Sequence, residues 1–399
     1  MILCAWFCSL NRKLFPWRTV LWGLALQFAF AIVILKTPIG TGAFDFAQRG
    51  VDRLNQFAME GASMVFGPLA NKTLLTDKWG KEHAFILAIN ITATIIVISS
   101  LSSLLYHWGI LQRVVRAMAM AMQTAMRTSG SETLAAAANI FMGQTEAPLL
   151  IKPYLTGMTR SELLVMMTAG MATIAGGVLA VYVSFGASSG HLVTASVLSA
   201  PAALLISKVM LPETHKSETA HDAPLKIERL AANSIDALCR GAAEGLTLSL
   251  NVAAMLIAFV AAVALANFLL ALITRPFGLE LDWQTVFGWA NAPFAWLMGV
   301  PTKDCFLIGQ ILGERIVLNE FFGYLTLTQK HAFIDERSFV LATYALCGFA
   351  NFGSIAIQIG GIGALAPSRR ADLAALGIRA MIGGLLASYL TATIVGMLI

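Results

Sequence analysis

Long apolar runs recur along this sequence, and each is long enough to cross a lipid bilayer as a helix. A crossing needs about 20 predominantly apolar residues. The runs cover residues 20–39, 83–108, 163–184, 192–211, 246–273, 339–359 and 376–399. Only 12% of the residues are charged, against about a quarter in soluble domains. Because helices satisfy every backbone polar group internally in lipid, the sequence predicts an all-α polytopic membrane protein with about eight membrane-spanning helices.

Three further segments mix apolar and polar residues at helical spacing. Residues 40–75 and 112–126 have this pattern, and residues 281–290 place Trp283 and Trp289 where a helix would meet the headgroups. They predict amphipathic or interfacial helices. The formal charge of +5 resides mostly in short connections, so it indicates membrane orientation and not a nucleic-acid partner. The five scattered cysteines predict neither disulfides nor a metal site.

One apolar stretch is interrupted by polar residues in its middle. Between residues 135 and 151 the chain carries Asn139, Gln144, Thr145 and Glu146, followed by Pro148. A carboxylate in a hydrocarbon-facing segment costs at least about 2.5–3.5 kcal/mol, so such residues usually face a cavity and carry function. Non-helical backbone at that depth also needs cover from protein or a water-filled cavity. The stretch therefore predicts the tip of a re-entrant helical hairpin that lines a binding site.

A second interrupted segment lies in the other half of the chain. Residues 292–322 are broken at Pro301 and end on Asn319 and Glu320, and the following helix is interrupted at Asn351. Paired broken segments in two similar halves are typical of inverted repeats around a midplane site in secondary transporters. The Lys and Arg distribution places the first hairpin on the cytoplasmic side and the second on the opposite side.

The two acidic residues, Glu146 and Glu320, are candidate ligand-binding groups. In the alternative interpretation, Lys152 and Arg315 neutralise them among the headgroups. Amides and hydroxyls such as Gln144, Asn351 and Ser354 can donate and accept hydrogen bonds. No Lys or Arg occurs within 139–151 or 349–359, so the pattern favours a neutral polyol or heterocycle over an anion.

A cation site is a second possibility at the same hairpin. Na⁺ prefers oxygen ligands, which unwound backbone and amide or hydroxyl side chains supply in transporters. Asn139, Met142 and Thr173 with Ile174 are the candidates. Thr173 is equally able to bond its own helix backbone. The loosely dinucleotide-like Gly361 and Gly363 follow no strand, and we interpret them as helix-packing glycines.

Several motifs closely resemble the signatures of the concentrative nucleoside transporter family, and they follow the family order over nearly the whole chain. They are Gly143-Gln144-Thr145-Glu146-Ala147-Pro148-Leu149, Thr173-Ile174-Ala175-Gly176-Gly177, Val317-Leu318-Asn319-Glu320-Phe321, Cys347-Gly348-Phe349-Ala350-Asn351-Phe352-Gly353-Ser354 and Leu365-Ala366-Pro367-Ser368-Arg369-Arg370. Two features depart from the family pattern. Thr173 stands where bacterial relatives carry Ser, which keeps the hydroxyl. The first helix is shorter, which leaves open whether the N-terminus is complete.

The resemblance implies a homotrimer in the inner (plasma) membrane, whose transport domain moves like an elevator against a scaffold. It implies scaffold helices in residues 1–108 and 244–280, transport repeats in 109–211 and 281–399, and a cytoplasmic linker with an amphipathic segment in 212–243. The re-entrant hairpins would lie near 131–156 and 292–322.

The resemblance also implies residue roles. The base would contact Gly143, Gln144, Thr145 and Glu146, with Val178 shaping the pocket, and the ribose would contact Glu320, Asn351 and Ser354 beside Phe349. Na⁺ would be held by Asn139, Met142, Thr173 and Ile174. The presence of Asn139 favours Na⁺ over H⁺.

The sequence thus predicts a Na⁺-coupled nucleoside symporter for the uridine, cytidine and adenosine class. The alternatives are a H⁺-coupled nucleoside transporter, a transporter of another solute, such as a sugar or a dicarboxylate, and an intramembrane enzyme. An enzyme needs a nucleophile–base pair or a metal set, and neither hairpin contains a histidine. The preference between pyrimidines and purines depends on the pocket around Gln144 and Val178.

Overall fold

The computed structural model describes residues 1–80, 86–219, 231–278 and 281–399. All regular elements in these ranges are helices, which confirms the predicted all-α class. The N-terminal helices are α1 (Ile2–Phe7), α2 (Trp17–Lys36), α3 (Pro38–Phe66), α4 (Lys72–Trp79) and α5 (Leu87–His107). The first half continues with α6 (Ile110–Met126), α7 (Gly130–Ala138), α8 (Ala147–Leu150), α9 (Arg160–Ala172), α10 (Gly176–Phe185) and α11 (Ser189–Met210). The second half contains α12 (Ser234–Thr274), α13 (Trp283–Leu297), α14 (Cys305–Val317), α15 (Glu320–Gln329), α16 (Glu336–Leu346), α17 (Phe352–Leu365) and α18 (Arg370–Leu398).

Six helical segments of the described chain are long and apolar enough to span a bilayer. One of them is α9 with α10, taken across their break, and α17 is a shorter apolar helix. The windows in α9–α10 and α11 are 94% and 89% buried, whereas the described residues of the apolar part of α12 are almost all unburied. The helices α9, α10 and α11 therefore form the interior of the folded protein. Helix α12 lies at the periphery, where it packs along α5.

The helix boundaries correct two sequence predictions and bear on a third. Residues 163–184 are two helices, because the backbone leaves the helix at Thr173 and the amide of Gly176 bonds Phe141 O at 3.4 Å in the hairpin tip. Residues 281–290 are not a separate interfacial helix but the first turns of α13, which continues through Pro293. α12 begins at Ser234 and so runs through the expected boundary at residue 244. The domain division itself stays a prediction, and its residues 81–85, 220–230 and 279–280 lie outside the described chain.

A buried ion pair anchors the base of the first hairpin. Ser129 is the N-cap of α7, and its amide donates to Glu132, as expected for a capping box. Lys208 Nζ in α11 lies 2.7 Å from Glu132 Oε2 and 3.3 Å from Glu213 Oε2. Burial alone would raise the pKa of the Glu213 carboxyl, but Lys208 and a hydrogen bond from Thr159 lower that pKa below its ordinary value. This network holds α7 against α11, and so positions the hairpin tip.

Candidate functional site

The two broken helices cross at their non-helical segments. The first break follows Ala172 in α9, and the second lies between Leu346 and Phe352. Gly348 in the second break has φ of +123°, and a Cβ there would lie 2.5 Å from Met171 O and 2.9 Å from Ala172 Cα. The two backbones therefore touch at a position that accepts no side chain. The crossing exposes polar backbone in the middle of the protein, where a ligand can use it.

The tip of the first hairpin, residues 139–146, is folded over this crossing. Within the tip, the Gly143 amide donates to Glu146 Oε2 at 3.2 Å. The hydrogen bond from Gly176 to Phe141 O joins the tip to the first break. Glu146 is exposed in the single chain, and Thr145 is half-buried beside it. The Glu146 carboxylate is therefore held by its own tip and retains accepting positions for a ligand.

Gln144 connects the tip to the second half of the chain. Its Nε2 donates to Ser354 Oγ at 3.2 Å, and its Oε1 accepts from Gln358 Nε2 at 3.0 Å. Both partners lie on α17, where Ser354 and Gln358 are buried one turn apart. Residues from the two halves, 210 positions apart, thus meet in one hydrogen-bonded cluster.

Glu320 lies at the start of α15 and faces the same cluster. Its Oε1 accepts from the Tyr182 hydroxyl at 3.0 Å, and its Oε2 accepts from Asn351 Nδ2 at 2.9 Å. Asn351 Oδ1 accepts from the Ser354 amide at 2.8 Å and caps α17. Glu320 is only 3% exposed. The predicted residues Glu320, Asn351 and Ser354 are therefore contiguous with Gln144.

The expected ion pairs between basic residues and the two carboxylates are not formed in the described chain, although the charge of Arg315 acts on Glu320 at longer range. Arg315 is fully buried but donates to Ala345 O and to Ser388 Oγ, and it makes no ion pair with Glu320 there. Lys152 is exposed and makes no ion pair with Glu146 in the same residues. Both carboxylates are therefore available to neutral hydrogen-bond donors.

The remaining predicted contacts lie around this cluster. Val178 is buried in the first turn of α10, directly after the first break, and Phe349 is half-buried in the second break. Thr145 packs against Gly361, where an added Cβ would lie 2.7 Å from Thr145 Cγ2. Thr145 and α17 are therefore too close for a side chain at position 361, which agrees with the packing role predicted for Gly361.

The candidate ion ligands lie on the hairpin tip and on the first break, two segments that the hydrogen bond from Gly176 to Phe141 O joins. Asn139 is fully buried and donates to Ala135 O at 2.9 Å, while its Oδ1 accepts no hydrogen bond from any described residue. The Thr173 hydroxyl donates to Ala169 O at 2.8 Å, which is the local alternative, and no described residue is recorded as donating to it. Met142 and Ile174 are also buried. An unpartnered buried carbonyl oxygen beside unwound backbone fits a hard cation.

Two buried residues of the cluster, Tyr182 and Gln358, were not predicted from the sequence. Gln358 follows Ser354 by four positions, so the helical spacing places both on one face of α17. Tyr182 follows Val178 by four positions in the same way. The four-residue spacing could have placed these side chains on the same helix face as the predicted site residues. It could not have identified the residues to which they hydrogen-bond.

Gly361→Ala is expected to raise the half-saturation concentration for the ligand of this site by about tenfold, because overpacking costs about 1–3 kcal/mol and displaces Thr145 in the tip. Gly360→Ala is the matched control, since a Cβ there meets nothing within 4 Å. A ligand-concentration series with the purified protein in proteoliposomes measures both. Equal half-saturation concentrations in the two variants would contradict the assigned packing.

Family models match successive parts of the chain. The model described as the Na⁺ dependent nucleoside transporter C-terminus matches residues 191–396. The corresponding N-terminus model matches residues 1–69, and a gate model described as nucleoside recognition matches residues 88–189.

Relatives align over nearly the whole chain. An uncharacterized transporter of Haemophilus influenzae is 41% identical over 100% of this chain and 95% of its own length. Human solute carrier family 28 member 3 is 39% identical over 96% of this chain and 56% of its own length. Rat sodium/nucleoside cotransporter 1 is 38% identical over 98% of this chain and 61% of its own length. The chain therefore spans little more than half the length of these animal relatives.

Solved structures share the fold. CNTnw in an inward-facing substrate-bound state superposes with a TM-score of 0.93 at 35% identity, covering 99% of this chain and 94% of that one. An engineered CNTnw variant in an outward-facing state gives a TM-score of 0.92 at 34% identity, with the same coverage.

Proposed function

The chain belongs to the family of Na⁺-dependent nucleoside transporters, and we propose that its first hairpin tip and the two helix breaks form one shared site for nucleoside and Na⁺. As a member of this family it is a secondary active symporter that imports nucleosides with Na⁺. The observation that carries the proposal is the hydrogen bond from Gln144 to Ser354, which joins the two predicted halves of the site.

The hairpin side of the site is proposed to bind the nucleobase. Gln144 supplies an amide and Glu146 supplies an acceptor, with Gly143, Thr145 and Val178 shaping the pocket. An amide beside a carboxylate matches the edge of a nucleobase, which carries an acceptor next to an N–H donor. Uridine, cytidine and adenosine all present such a pair, so all three are proposed substrates.

The second half of the site is proposed to bind the ribose. Glu320 uses one position on each carboxylate oxygen for Tyr182 and Asn351, which leaves accepting positions for sugar hydroxyls. Ser354 can donate or accept, and Phe349 offers an apolar face. A charged acceptor that is held by two neutral donors suits a neutral polyol.

We propose that Asn139, Met142, Thr173 and Ile174 hold Na⁺ during transport. Asn139→Ala removes the unpartnered Oδ1 and is expected to raise the Na⁺ concentration for half-maximal uptake by about tenfold, which corresponds to about 1.4 kcal/mol. The matched control is Asn90→Ala, since Asn90 donates to Ile86 O at 2.9 Å just as Asn139 donates to Ala135 O. A Na⁺ dependence that does not change in Asn139→Ala would contradict this site.

The function is tested by uptake into proteoliposomes made from the purified protein. Labelled uridine is expected to accumulate above its external concentration with a Na⁺ gradient and to lose that accumulation when choline replaces Na⁺. Accumulation driven by a H⁺ gradient alone would support the proton-coupled alternative. Competition only by non-nucleoside solutes would support another substrate class, and chemical conversion of the nucleoside would support an enzyme.

The membrane and the assembly are also proposals. We place the protein in the cell inner (plasma) membrane and propose a homotrimer in which the exposed apolar face of α12 contributes to the contacts. The described residues of the apolar part of α12 are almost all unburied in the single chain, so its face is free for lipid or for another copy. Native mass spectrometry from detergent is expected to show a trimer, and a monomer at all concentrations would contradict it.

A further inference from the structure

Gln358 is a fully buried polar side chain with a single hydrogen-bonding atom in use. Its Nε2 donates to Met167 O at 2.9 Å and to Gln144 Oε1 at 3.0 Å. Its Oε1 has no partner among the described residues. Both hydrogen bonds that hold the Gln358 amide in place are therefore donated by its NH₂ group.

The chemistry of the partners determines which way each amide points. A backbone carbonyl such as Met167 O can only accept, so the NH₂ of Gln358, and not its oxygen, must face it. The second hydrogen of that NH₂ then points to Gln144, so Gln144 must accept it with its side-chain oxygen. The NH₂ of Gln144 is left to face Ser354 and the ligand side of the cluster.

The local packing supports this arrangement. A Cβ added at Gly170 would lie 2.9 Å from Gln144 Cβ and 2.9 Å from Gln358 Nε2. The absence of a side chain at this position in α9 gives both glutamines the space to meet. α9 thus contributes both the carbonyl that sets the direction and the room for the two side chains.

We propose that Gln358 is a positioning residue that fixes the orientation of the Gln144 amide, so that Gln144 donates a hydrogen bond to an acceptor atom of the nucleobase. This inference depends on the proposed base contact of Gln144. The site then presents a donor from Gln144 and an acceptor from Glu146. Without Gln358, the Gln144 amide could rotate by 180° and present either its NH₂ or its oxygen to the ligand. The protein would then discriminate less well between nucleobases that differ in one acceptor atom.

Two substitutions test the orientation in different ways. Gln358→Met keeps the length of the side chain but removes the donor, so Gln144 is no longer directed. Gln358→Glu reverses the direction. The hydroxyl oxygen of the protonated carboxyl then takes the place of Nε2, between Met167 O and Gln144. Its one hydrogen is donated to Met167 O, so the same oxygen has to accept from the Gln144 NH₂. Gln144 then presents its oxygen to the ligand.

The readout is the ratio of uptake efficiencies for nucleoside analogues. Uridine is compared with 2-pyrimidinone riboside, which lacks the O4 acceptor and whose N3 accepts where that of uridine donates, and with 3-deazauridine, which lacks the N3–H donor but keeps O4. 3′-Deoxyuridine reports on the ribose half. We expect the wild-type chain to favour uridine over at least one base analogue by about tenfold, the value of one hydrogen bond in a buried site. This ratio should fall to about threefold or less in Gln358→Met and fall further or invert in Gln358→Glu. The ribose ratio and the Na⁺ dependence should stay within about twofold of the wild type.

A double-substitution cycle separates positioning from simple packing. In the Gln144→Ala background, Gln358→Met should change the base ratio no further. Unchanged base ratios in both Gln358 variants, or base and ribose ratios that fall together, would overturn the inference. Loss of folding in both variants, measured by size exclusion and thermal unfolding in Na⁺ without nucleoside, would assign Gln358 a structural role and overturn it as well. Failure of the wild-type chain to take up any nucleoside would overturn the proposed function itself.

Discussion

Gly348→Ala is expected to abolish most nucleoside uptake. The residue has φ of +123°, a backbone region that costs a non-glycine residue about 1–3 kcal/mol. The new methyl group would also lie 2.5 Å from Met171 O and 2.7 Å from the carbonyl carbon of Ala172. Since these are backbone atoms of the other broken helix, the two breaks have to separate, and Phe349 and Asn351 move with them. Uridine uptake should fall by at least about 100-fold, the equivalent of about 2.7 kcal/mol.

The control for this substitution is again Gly360→Ala, an open and exposed position on the neighbouring helix. Membrane levels and the thermal unfolding temperature of both variants are measured alongside uptake. Normal uptake by a well-folded Gly348→Ala variant would show that the two breaks do not touch as described.

Glu320→Gln is expected to lower the uptake efficiency for uridine by about 100-fold. Asn351 cannot turn over, because its Oδ1 is already bonded to the Ser354 amide. The new amide must therefore direct its oxygen to Asn351 and its NH₂ to the Tyr182 hydroxyl. The side chain keeps its protein contacts but loses its charge and one set of accepting positions for the ligand. A hydrogen bond to a charged group contributes about 1.5–3 kcal/mol, and the upper part of this range, about 2.7 kcal/mol, corresponds to the expected loss.

Glu336→Gln provides the matched control, because Glu336 is also the first residue of its helix but pairs with His331 in an exposed position. The Na⁺ concentration for half-maximal uptake should change by less than about threefold in Glu320→Gln, since Asn139 is not among the Glu320 partners. Binding of unlabelled uridine to purified protein gives a second measurement. Wild-type affinity in Glu320→Gln would remove this residue from the site.

The hairpins and their acidic residues were predictable because polarity in an apolar stretch is a local signal. Glu146 and Glu320 stand out in the sequence, because a carboxylate inside the bilayer is energetically costly and usually has a function. The same local signal failed at Thr173-Ile174-Ala175. These residues are compatible with a continuing apolar helix, but the backbone leaves the helix at Thr173 and the Gly176 amide bonds Phe141 O of the hairpin tip. A partner 35 positions away cannot be seen in the hydropathy of the segment.

Charge assignments failed for a similar reason. Arg315 lies five positions before Glu320, and that short separation suggested a local ion pair. In the structure the guanidinium is turned toward Ala345 O and Ser388. The donors to Glu320 come instead from Tyr182 and Asn351, which are 138 and 31 positions away.

The amino-acid sequence by itself determined the helical class, the membrane environment, the two re-entrant hairpins and most of the side chains proposed to meet the ligand. The helical class, the membrane environment and the hairpins follow from hydropathy and from the cost of polar groups in lipid, which depend on short stretches of chain. The contacts assigned to Gly143, Val178 and Phe349 came from the family resemblance instead. Only the tertiary structure decided that the two breaks touch at Gly348, that Asn139 keeps an oxygen without a partner among the described residues, and that Gln358 orients Gln144. The direction of a hydrogen bond depends on which acceptor lies opposite each donor. That pairing forms only when helices distant in sequence pack together.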